Sequence, residues 1–295
     1  MWTSTWAGRA GRAGKAAGWA GAVLLAAAML GVAPLAAENV SSPRLYIFDC
    51  GVIKGLGVEL FGFKAGEVPP RDFFVPCYLV VHPRGTLMWD VGVIADSAFK
   101  GDGKPATDGR STADKPLLPQ LAAVGYKPSD ITYLSLSHYH SDHTANANAF
   151  SGSTWIVQKP ERDMMFGTPP PGTIIQTATF SALKDAKTKI LNGEDYDVFG
   201  DGTVVIKYAP GHTPGHQALF LKLKKFGPLL VAGDLYHFPE EQTMNRFPGF
   251  EFNKEQSAKS RADIDVFLKK TKAQMWIEHD AATNAKLKKA PEYYE

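Results

Sequence analysis

Residues 137–143 read SHYHSDH, so three histidines and one aspartate occupy seven positions directly after the apolar run ITYLSL. The run predicts a strand, and side chains two residues apart point the same way in extended chain. We therefore expect His138, His140 and Asp142 on one side, with His143 reaching in from the following turn. Imidazole and carboxylate groups suit zinc and its neighbours in the first transition row. The stretch predicts a metal site at a strand end, carried by a rigid sheet.

Three further candidate ligands each follow an apolar, strand-like run. His212 lies in the turn YAPGHTPGH, Asp234 ends LLVAGD and His279 lies near the end of MWIEHD. A structural zinc site closes with four ligands. Six or seven ligands predict two divalent metal ions per chain, zinc in the first place, with cobalt, manganese or iron as alternatives. We expect His216 to stabilise the turn or to support a metal ligand rather than to bind metal.

The order of apolar runs predicts the fold class. Three strand-like runs come first (RLYIFDCG, FFVPCYLVVHP and GTLMWDVGV), followed by a helix around LLPQLAAVGY and the strand before SHYHSDH. The second half again alternates strands with a helix, from about Lys254 to Lys270. This alternation predicts an α/β sandwich of two similar halves.

The first 37 residues have the composition of a secretory signal peptide. Basic residues (Arg9, Arg12 and Lys15) precede an uncharged Ala/Leu/Val stretch that ends in small residues. An uncleaved membrane anchor is the alternative. The segment holds three of the 32 basic residues and none of the 30 acidic ones, so residues 38–295 are close to neutral. We therefore expect one mature domain over 38–295, periplasmic or secreted, without stable membrane insertion and without a nucleic-acid partner.

Two cysteines, Cys50 and Cys77, occur in predicted strands. An oxidising compartment permits a disulfide between them. Free, buried cysteines are the expectation, because buried thiols are common in strands.

The motifs HYHSDH, GHTPGH, AGD and EHD, together with WDVG around Asp90, resemble those of the metallo-β-lactamase superfamily. The resemblance covers residues 45–280 and implies a four-layer αββα sandwich. It also implies a first metal held by three histidines, a second metal held by an aspartate and two histidines, and a bridging aspartate. The first metal is assigned to His138, His140 and His212, and the second to Asp142, His143 and His279. The bridging aspartate is Asp234.

Within that superfamily, the chain is most similar to the N-acyl homoserine lactonase group. The stretches VPCYLVVHPRGTLMWDVG, SLSHYHSDHTANANAF and APGHTPGHQALF carry this similarity. It implies a hydrolase with two metal ions that opens the lactone ring by attack of a metal-bound hydroxide, with Asp142 as the proton carrier. Homodimers occur among relatives, so the resemblance also allows a homodimer. The group commonly has a tyrosine three residues after the bridging aspartate, whereas GDLYHF places Tyr236 two residues and His237 three residues after it. Either could take the catalytic role of that tyrosine, or neither.

Other activities and a substrate groove also follow from these patterns. A β-lactam, another lactone or ester, or an organophosphate could be the substrate on the same fold. Oxidation at a single iron and a non-catalytic scaffold are more distant alternatives. An acyl chain would need an apolar groove, for which the candidates are Phe61, Phe63, Phe73, Phe74, Met164, Met165 and Phe166.

Overall fold

The structure is a computed structural model that describes residues 40–101, 103–104, 109–171, 173 and 175–295. The predicted signal peptide, residues 1–37, lies outside the described residues. Within them, no helix has both the length and the apolar character needed to cross a membrane.

Within the described part of the chain, eight strands form the first sheet. Its order is β13-β1-β2-β3-β5-β6-β7, with β4 paired to β1. The strands at one end of this order are antiparallel, whereas β3, β5, β6 and β7 are mutually parallel. Their bounds are β1 Arg44–Leu56, β2 Arg71–His82, β3 Gly85–Trp89, β4 Ser111–Thr112, β5 Tyr133–Ser135, β6 Thr154–Gln158, β7 Thr188–Leu191 and β13 Tyr293–Tyr294.

Five strands form the second sheet, in the order β12-β11-β10-β9-β8. The strands are β8 Tyr196–Asp197, β9 Val204–Tyr208, β10 Gln217–Leu223, β11 Gly227–Val231 and β12 Gln274–Trp276. The α-helices are α1 Leu117–Ala123, α2 Ser141–Thr144, α3 Lys159–Phe166, α4 Pro239–Met244, α5 Lys254–Thr271 and α6 Ala281–Asn284.

Alternation along the strands explains why both sheets are covered on both faces. In β1, Leu45 and Ile47 pack in the core between the sheets, while Tyr46 and Phe48 pack in the core on the outer side of the first sheet. Neighbouring strand residues point to opposite faces, so each strand contributes to two cores. Helix α1 joins the outer core of the first sheet through Leu117 and Leu121.

The second sheet is covered in the same way. Leu219 and Leu221 of β10 face the first sheet, while Ala218 and Phe220 pack outward against Ile264 of α5. The layers are therefore helices, sheet, sheet and helices, which confirms the predicted four-layer sandwich.

The two cysteines form a disulfide, so the expectation of free thiols is wrong. Cys50 and Cys77 lie on the neighbouring antiparallel strands β1 and β2, with Cα atoms 5.8 Å apart. The register pairs Asp49 with Pro76 and then shifts before Val52. The residue across from Cys77 is Phe48, so Cys50 lies diagonally to Cys77, next to this irregularity and within the Cα–Cα range that a disulfide spans. Strand register is a tertiary property, and burial of each cysteine alone does not reveal it.

Candidate metal centre

The stretch SHYHSDH lies at the end of β5, but it is less extended than predicted. Strand β5 ends at Ser135, and His140 is the residue before helix α2. Asp142 and His143 belong to the first turns of that helix. The side chains still converge, because a strand end followed at once by a helix turns the chain back across the same edge of the sheet.

The second sheet presents its three candidate ligands at the facing edge. His212 lies in the turn between β9 and β10, Asp234 in the 3-10 turn Gly233–Leu235 after β11, and His279 after β12. All three are at most 3% exposed. Each sheet therefore supplies part of one buried cluster.

The imidazole of His216 packs against the backbone of the AGD motif, which explains the glycine in that motif. His216 donates its Nδ1–H to the Ala209 carbonyl and accepts the Asp234 backbone N–H at Nε2, each at 2.9 Å. Gly233 has φ +55°, and a Cβ on it would lie 2.7 Å from His216 Nε2. Both nitrogens of His216 are thus engaged, which leaves it to fix the turn, as expected from the sequence.

The first donor group consists of three histidines and one oxygen of Asp234. His140 Nδ1 lies 2.8 Å from His138 Nε2 and 3.1 Å from His212 Nε2. Asp234 Oδ2 lies 3.6 Å from His138 Nε2 and 3.4 Å from His212 Nε2. Four donor atoms thus surround one point between the sheets.

The second donor group consists of Asp142, His143 and His279, with the other oxygen of Asp234. Asp234 Oδ1 lies 3.3 Å from His143 Nε2 and 3.0 Å from His279 Nε2. Asp142 Oδ2 lies 3.7 Å and 3.5 Å from the same two nitrogens. His143 Nε2, His279 Nε2 and Asp234 Oδ1 are buried and have no hydrogen-bond partner among the residues that the structure describes.

The convergence of donor atoms in both groups, and the unpartnered atoms of the second group, fit bound metal ions. Tetrahedral zinc with bonds of about 2.0–2.1 Å keeps its ligand atoms about 3.4 Å apart. Buried polar atoms are nearly always hydrogen-bonded, so three unpartnered atoms that face one another indicate an ion between them. Asp234 directs one oxygen into each donor group, as a bridging ligand would.

Hydrogen bonds behind the histidines leave their Nε2 atoms free to bind metal. His143 Nδ1–H donates to Asp90 Oδ2 at 2.8 Å, and Asp90 Oδ1 accepts the Ser137 backbone N–H at 2.6 Å. His279 Nδ1–H donates to the Phe74 carbonyl at 2.9 Å. His138 Nδ1 hydrogen-bonds to the Ser137 hydroxyl at 3.0 Å. Such partners set the tautomer and ring orientation of metal-binding histidines.

The electrostatics of the cluster also favour metal binding. Burial and the neighbouring His143 hold the pKa of His138 well below its usual value, and burial and His212 lower the pKa of His140 to about 3. Burial alone would raise the pKa of Asp234, but His279 and His143 lower it well below the usual range. Metal binding requires neutral imidazoles around an ionised carboxylate, but, against the effect of burial, Asp234 raises the pKa of His143 well above its usual value and also raises the pKa of His212, so a metal would displace the protons of these two histidines.

The structure places the two remaining catalytic candidates very differently. His237 Nε2 lies 3.1 Å from Asp234 Oδ2, and its ring stacks on Phe73. Tyr236 packs in the outer core of the second sheet, with the Arg261 guanidinium over its ring. Among the described interactions, Tyr236 contacts none of the candidate ligands. Only His237 is therefore brought to the cluster.

A buried charged network behind His237 was missed at the sequence level. Glu241 Oε1 lies 3.2 Å from both the backbone nitrogen and Nδ1 of His237, and its Oε2 accepts from Arg261 at 2.7 Å. Glu241 and Arg261 are both buried. Helices α4 and α5 bring the pair together over a separation of 20 residues, and no local pattern marks it.

Glu161 is a second missed residue. Its carboxylate accepts hydrogen bonds from the Tyr139 backbone N–H at 2.7 Å, the Thr213 hydroxyl at 2.8 Å and the Gly215 backbone N–H at 2.8 Å. It therefore ties the SHYHSDH stretch to the turn that carries His212. Its only local signal is a glutamate in the first turn of a short helix, which is ordinary at that position.

The aromatic candidates for an acyl groove are mostly buried. Phe61, Phe63 and Phe73 pack together with Phe238 beneath the cluster, and Met165 lies in the outer core of the first sheet. A cleft of about 450 Å³ opens instead beside the candidate ligands His140 and Asp142, and sequence reasoning missed Phe250 and Phe252 in its lining. Its lining includes Tyr139, His140, Asp142, Phe250 and Phe252.

The chain is similar in sequence and in fold to known proteins. Residues 70–272 match the Metallo-beta-lactamase superfamily. N-acyl homoserine lactonase AttM of Rhizobium radiobacter is 31% identical over 267 residues, covering 85% of this chain and 98% of AttM. N-acyl homoserine lactonase AiiA of Bacillus thuringiensis subsp. kurstaki is 28% identical over 224 residues, covering 74% of this chain and 85% of AiiA.

The fold is also similar to that of a solved structure. It is an N-acyl homoserine lactone hydrolase with the product N-hexanoyl-L-homoserine at its catalytic metal centre. The TM-score is 0.70 at 25% identity, with 86% of this chain and 100% of that chain covered. These matches confirm the resemblance drawn from the motifs. The chain belongs to the metallo-beta-lactamase superfamily, and its sequence relatives include N-acyl homoserine lactonases.

Proposed function

We propose that the protein is a metal-dependent hydrolase that opens the lactone ring of N-acyl homoserine lactones, a quorum-quenching activity. One observation carries the proposal: two buried donor groups share Asp234 and open onto a cleft. This arrangement occurs in a chain 31% identical to a lactonase over 85% of its length.

The donor atoms suit two zinc ions. His138, His140 and His212 would hold the first ion, Asp142, His143 and His279 the second, and Asp234 both. Bound there, such ions supply a Lewis acid for a carbonyl group and lower the pKa of water to about 7. Zinc is favoured over softer or harder metals because the donors are imidazole nitrogens and carboxylate oxygens.

Asp142 is the candidate proton carrier. Its side chain is 16% exposed, whereas the side chain of Asp234 is 4% exposed, and Asp142 lines the cleft. In hydrolysis, a bond forms between a water oxygen and the lactone carbonyl carbon, and the ring C–O bond breaks. The proton that the water loses passes to Asp142, which delivers it to the leaving alkoxide oxygen. The product is the open-chain N-acyl homoserine.

His237 keeps Asp234 in place. It is 2% exposed, hydrogen-bonded to Asp234 on one side and to Glu241 on the other. The tyrosine of the lactonase group, implied by resemblance at this position, is thus replaced by an imidazole whose two nitrogens are both engaged. We infer a positioning role for His237 and no catalytic role for Tyr236.

We also propose that residues 1–37 direct the protein to the periplasm or outside the cell and are then removed. The basic, apolar and small-residue segments of the N-terminus support this proposal. The Cys50–Cys77 disulfide fits an oxidising compartment. Expression with the native N-terminus, fractionation and N-terminal sequencing of the exported protein test it, with a mature start near residue 38 expected.

The test of the activity is a proton-release assay of the zinc-loaded protein with homoserine lactones, run beside nitrocefin. We expect lactone opening and little nitrocefin cleavage. Asp234→Ala should lose at least about 1000-fold in kcat/KM because both donor groups lose an oxygen. The surface variant Asp263→Ala is the matched control. Rapid nitrocefin cleavage without lactone opening would identify a β-lactamase instead.

A further inference from the structure

Glu251 is a buried carboxylate between two exposed phenylalanines of the cleft. Phe250 is 45% exposed and Phe252 is 48% exposed, and both line the cleft beside the candidate ligands. The side chain of Glu251 is only 3% exposed. Burying a carboxylate is costly unless it has hydrogen-bond partners. The role of Glu251 therefore depends on the groups that its two oxygens face inside the protein.

Backbone hydrogen bonds hold this segment against the turn that carries His212. The Phe252 N–H donates to the His212 carbonyl at 3.2 Å, and the Asn253 N–H donates to the Gly211 carbonyl at 2.9 Å. Gly211 has φ +137°, and a Cβ on it would clash with the backbone nitrogen of Ser257 in the first turn of α5. Glycine thus allows the turn to lie directly on the start of that helix. The spacing between Glu251 and His212 is fixed from both sides.

The Glu251 carboxylate has one hydrogen-bond donor and faces one imidazole. The Ser257 hydroxyl donates to its Oε2. Its Oε1 lies 3.5 Å from His212 Nδ1. Both of these atoms are buried, and neither has a hydrogen-bond partner among the described residues. Because buried polar atoms are nearly always paired, and an imidazole N–H complements a carboxylate oxygen, each is the natural partner of the other.

The other nitrogen of His212 points into the first donor group. His212 Nε2 lies 3.1 Å from His140 Nδ1 and 3.4 Å from Asp234 Oδ2. A neutral imidazole that binds metal through Nε2 carries its proton on Nδ1, where a hydrogen-bond acceptor fixes this tautomer. The second donor group already has such an acceptor, because Asp90 lies 2.8 Å from His143 Nδ1.

We propose that Glu251 is a positioning residue of the first donor group. It accepts the Nδ1–H of His212, fixes the tautomer that directs Nε2 towards the metal, and connects the phenylalanine wall of the cleft to the metal centre. Each donor group then has one histidine held by a carboxylate, Glu251 for the first and Asp90 for the second. The inference rests on the proposed function and adds to its metal centre a residue that lies outside all of the histidine motifs.

The experiment measures the affinity of both zinc ions by titration of the metal-free protein against a chromophoric chelator. Glu251→Ala removes the acceptor and should weaken one of the two ions by about 10–100-fold, with a much smaller effect on the other. Glu251→Gln keeps an acceptor oxygen in nearly the same shape, so it should recover part of that loss. Glu255→Gln makes the same change at an exposed position in the first turn of α5. It is the matched control and should bind both ions as the wild type does.

The outcomes separate a positioning role from a structural one and from the proposed function. Wild-type affinity for both ions in Glu251→Ala and Glu251→Gln, or equal weakening of both ions, overturns the positioning role. If Glu251→Ala fails to fold, the nearly isosteric Glu251→Gln decides, and the melting temperature of each metal-free variant shows whether it folds. Zinc binding that depends on Glu251 without opening of any lactone overturns the proposed function alone. A wild type that binds no zinc overturns both.

Discussion

Single buried carboxylates connect the parts of this site, and Glu161 is the clearest example. It accepts three hydrogen bonds from two separate ligand-bearing stretches. Those bonds favour its ionised form, but burial outweighs them and raises the pKa of Glu161 to about 7. The folded state therefore holds this proton more tightly than the unfolded chain, where a glutamate has a pKa near 4.5.

The consequence is a stability that falls with pH. Between about pH 4.5 and pH 7 the folded state binds more protons at Glu161, so the free energy of unfolding decreases as the pH rises through that window. The loss amounts to about 3 kcal/mol. Urea unfolding of the metal-free protein from pH 4.5 to pH 8, compared with Glu161→Gln, measures it. Parallel pH profiles for the two proteins would contradict the assignment.

Unlike Glu161, Glu241 lies beside a side chain of opposite charge. It pairs with Arg261 in a site where the two side chains are 0% and 6% exposed. Glu241→Gln leaves the guanidinium buried without a counter-charge, so we expect a loss of about 3–5 kcal/mol in the free energy of unfolding.

An exposed ion pair provides the matched comparison. Asp263 pairs with Lys259 on α5, with side chains 66% and 74% exposed. Asp263→Asn should cost less than about 0.5 kcal/mol. Denaturant unfolding of both variants checks the contrast, and equal losses would mean that burial of the Glu241–Arg261 pair has no special weight.

At the scale of elements, the disulfide fixes β1 to β2 where their register shifts. Cys50 and Cys77 are 27 residues apart in sequence and close a loop that contains residues 57–70 between the strands. Cross-linking a loop of that length stabilises the fold by about 3.5 kcal/mol, chiefly by restricting the unfolded chain. The bond also lies beside Gly92, where an added Cβ would come within 2.9 Å of the Cys50 Cβ.

Replacing both cysteines tests this contribution. The Cys50→Ser, Cys77→Ser protein should unfold at a lower denaturant concentration, and dithiothreitol should destabilise the wild type but not the double variant. Denaturation curves in oxidising and reducing buffer measure both effects. If reduction leaves the denaturation curve of the wild type unchanged, the disulfide contributes little to the free energy of unfolding.

At the scale of the whole molecule, the donor groups join the two sheets. His138, His140, Asp142 and His143 follow β5 of the first sheet, while His212, Asp234 and His279 follow strands of the second. Ions bound between them would act only on the folded protein, since the unfolded chain does not assemble the site. Ligands of that kind stabilise by about 2.7 kcal/mol at 100 times Kd and about 4.1 kcal/mol at 1000 times Kd.

Chelation should therefore lower the melting temperature of the protein. We expect EDTA to reduce Tm by several degrees, and zinc to restore it, since a change of 1 kcal/mol shifts Tm by about 2–4 °C in proteins of this size. Asp234→Asn, which weakens both donor groups, should show a much smaller response. Calorimetry with and without chelator measures this change. A Tm that is the same with and without metal would contradict a metal site between the sheets.

The sequence by itself predicted the candidate donor residues, because each stands in a short motif at the end of an apolar run. It also determined the sandwich, since strand alternation and the helix around α5 are local patterns of hydrophobicity. Glu161, Glu241 and Phe252 could not be found in this way, because their roles depend on partners far along the chain. The disulfide is similar: Cys50 and Cys77 are ordinary strand residues until β1 and β2 pair and place them diagonally to each other. Pairing and burial arise only when separate segments meet, so the tertiary structure alone decided them.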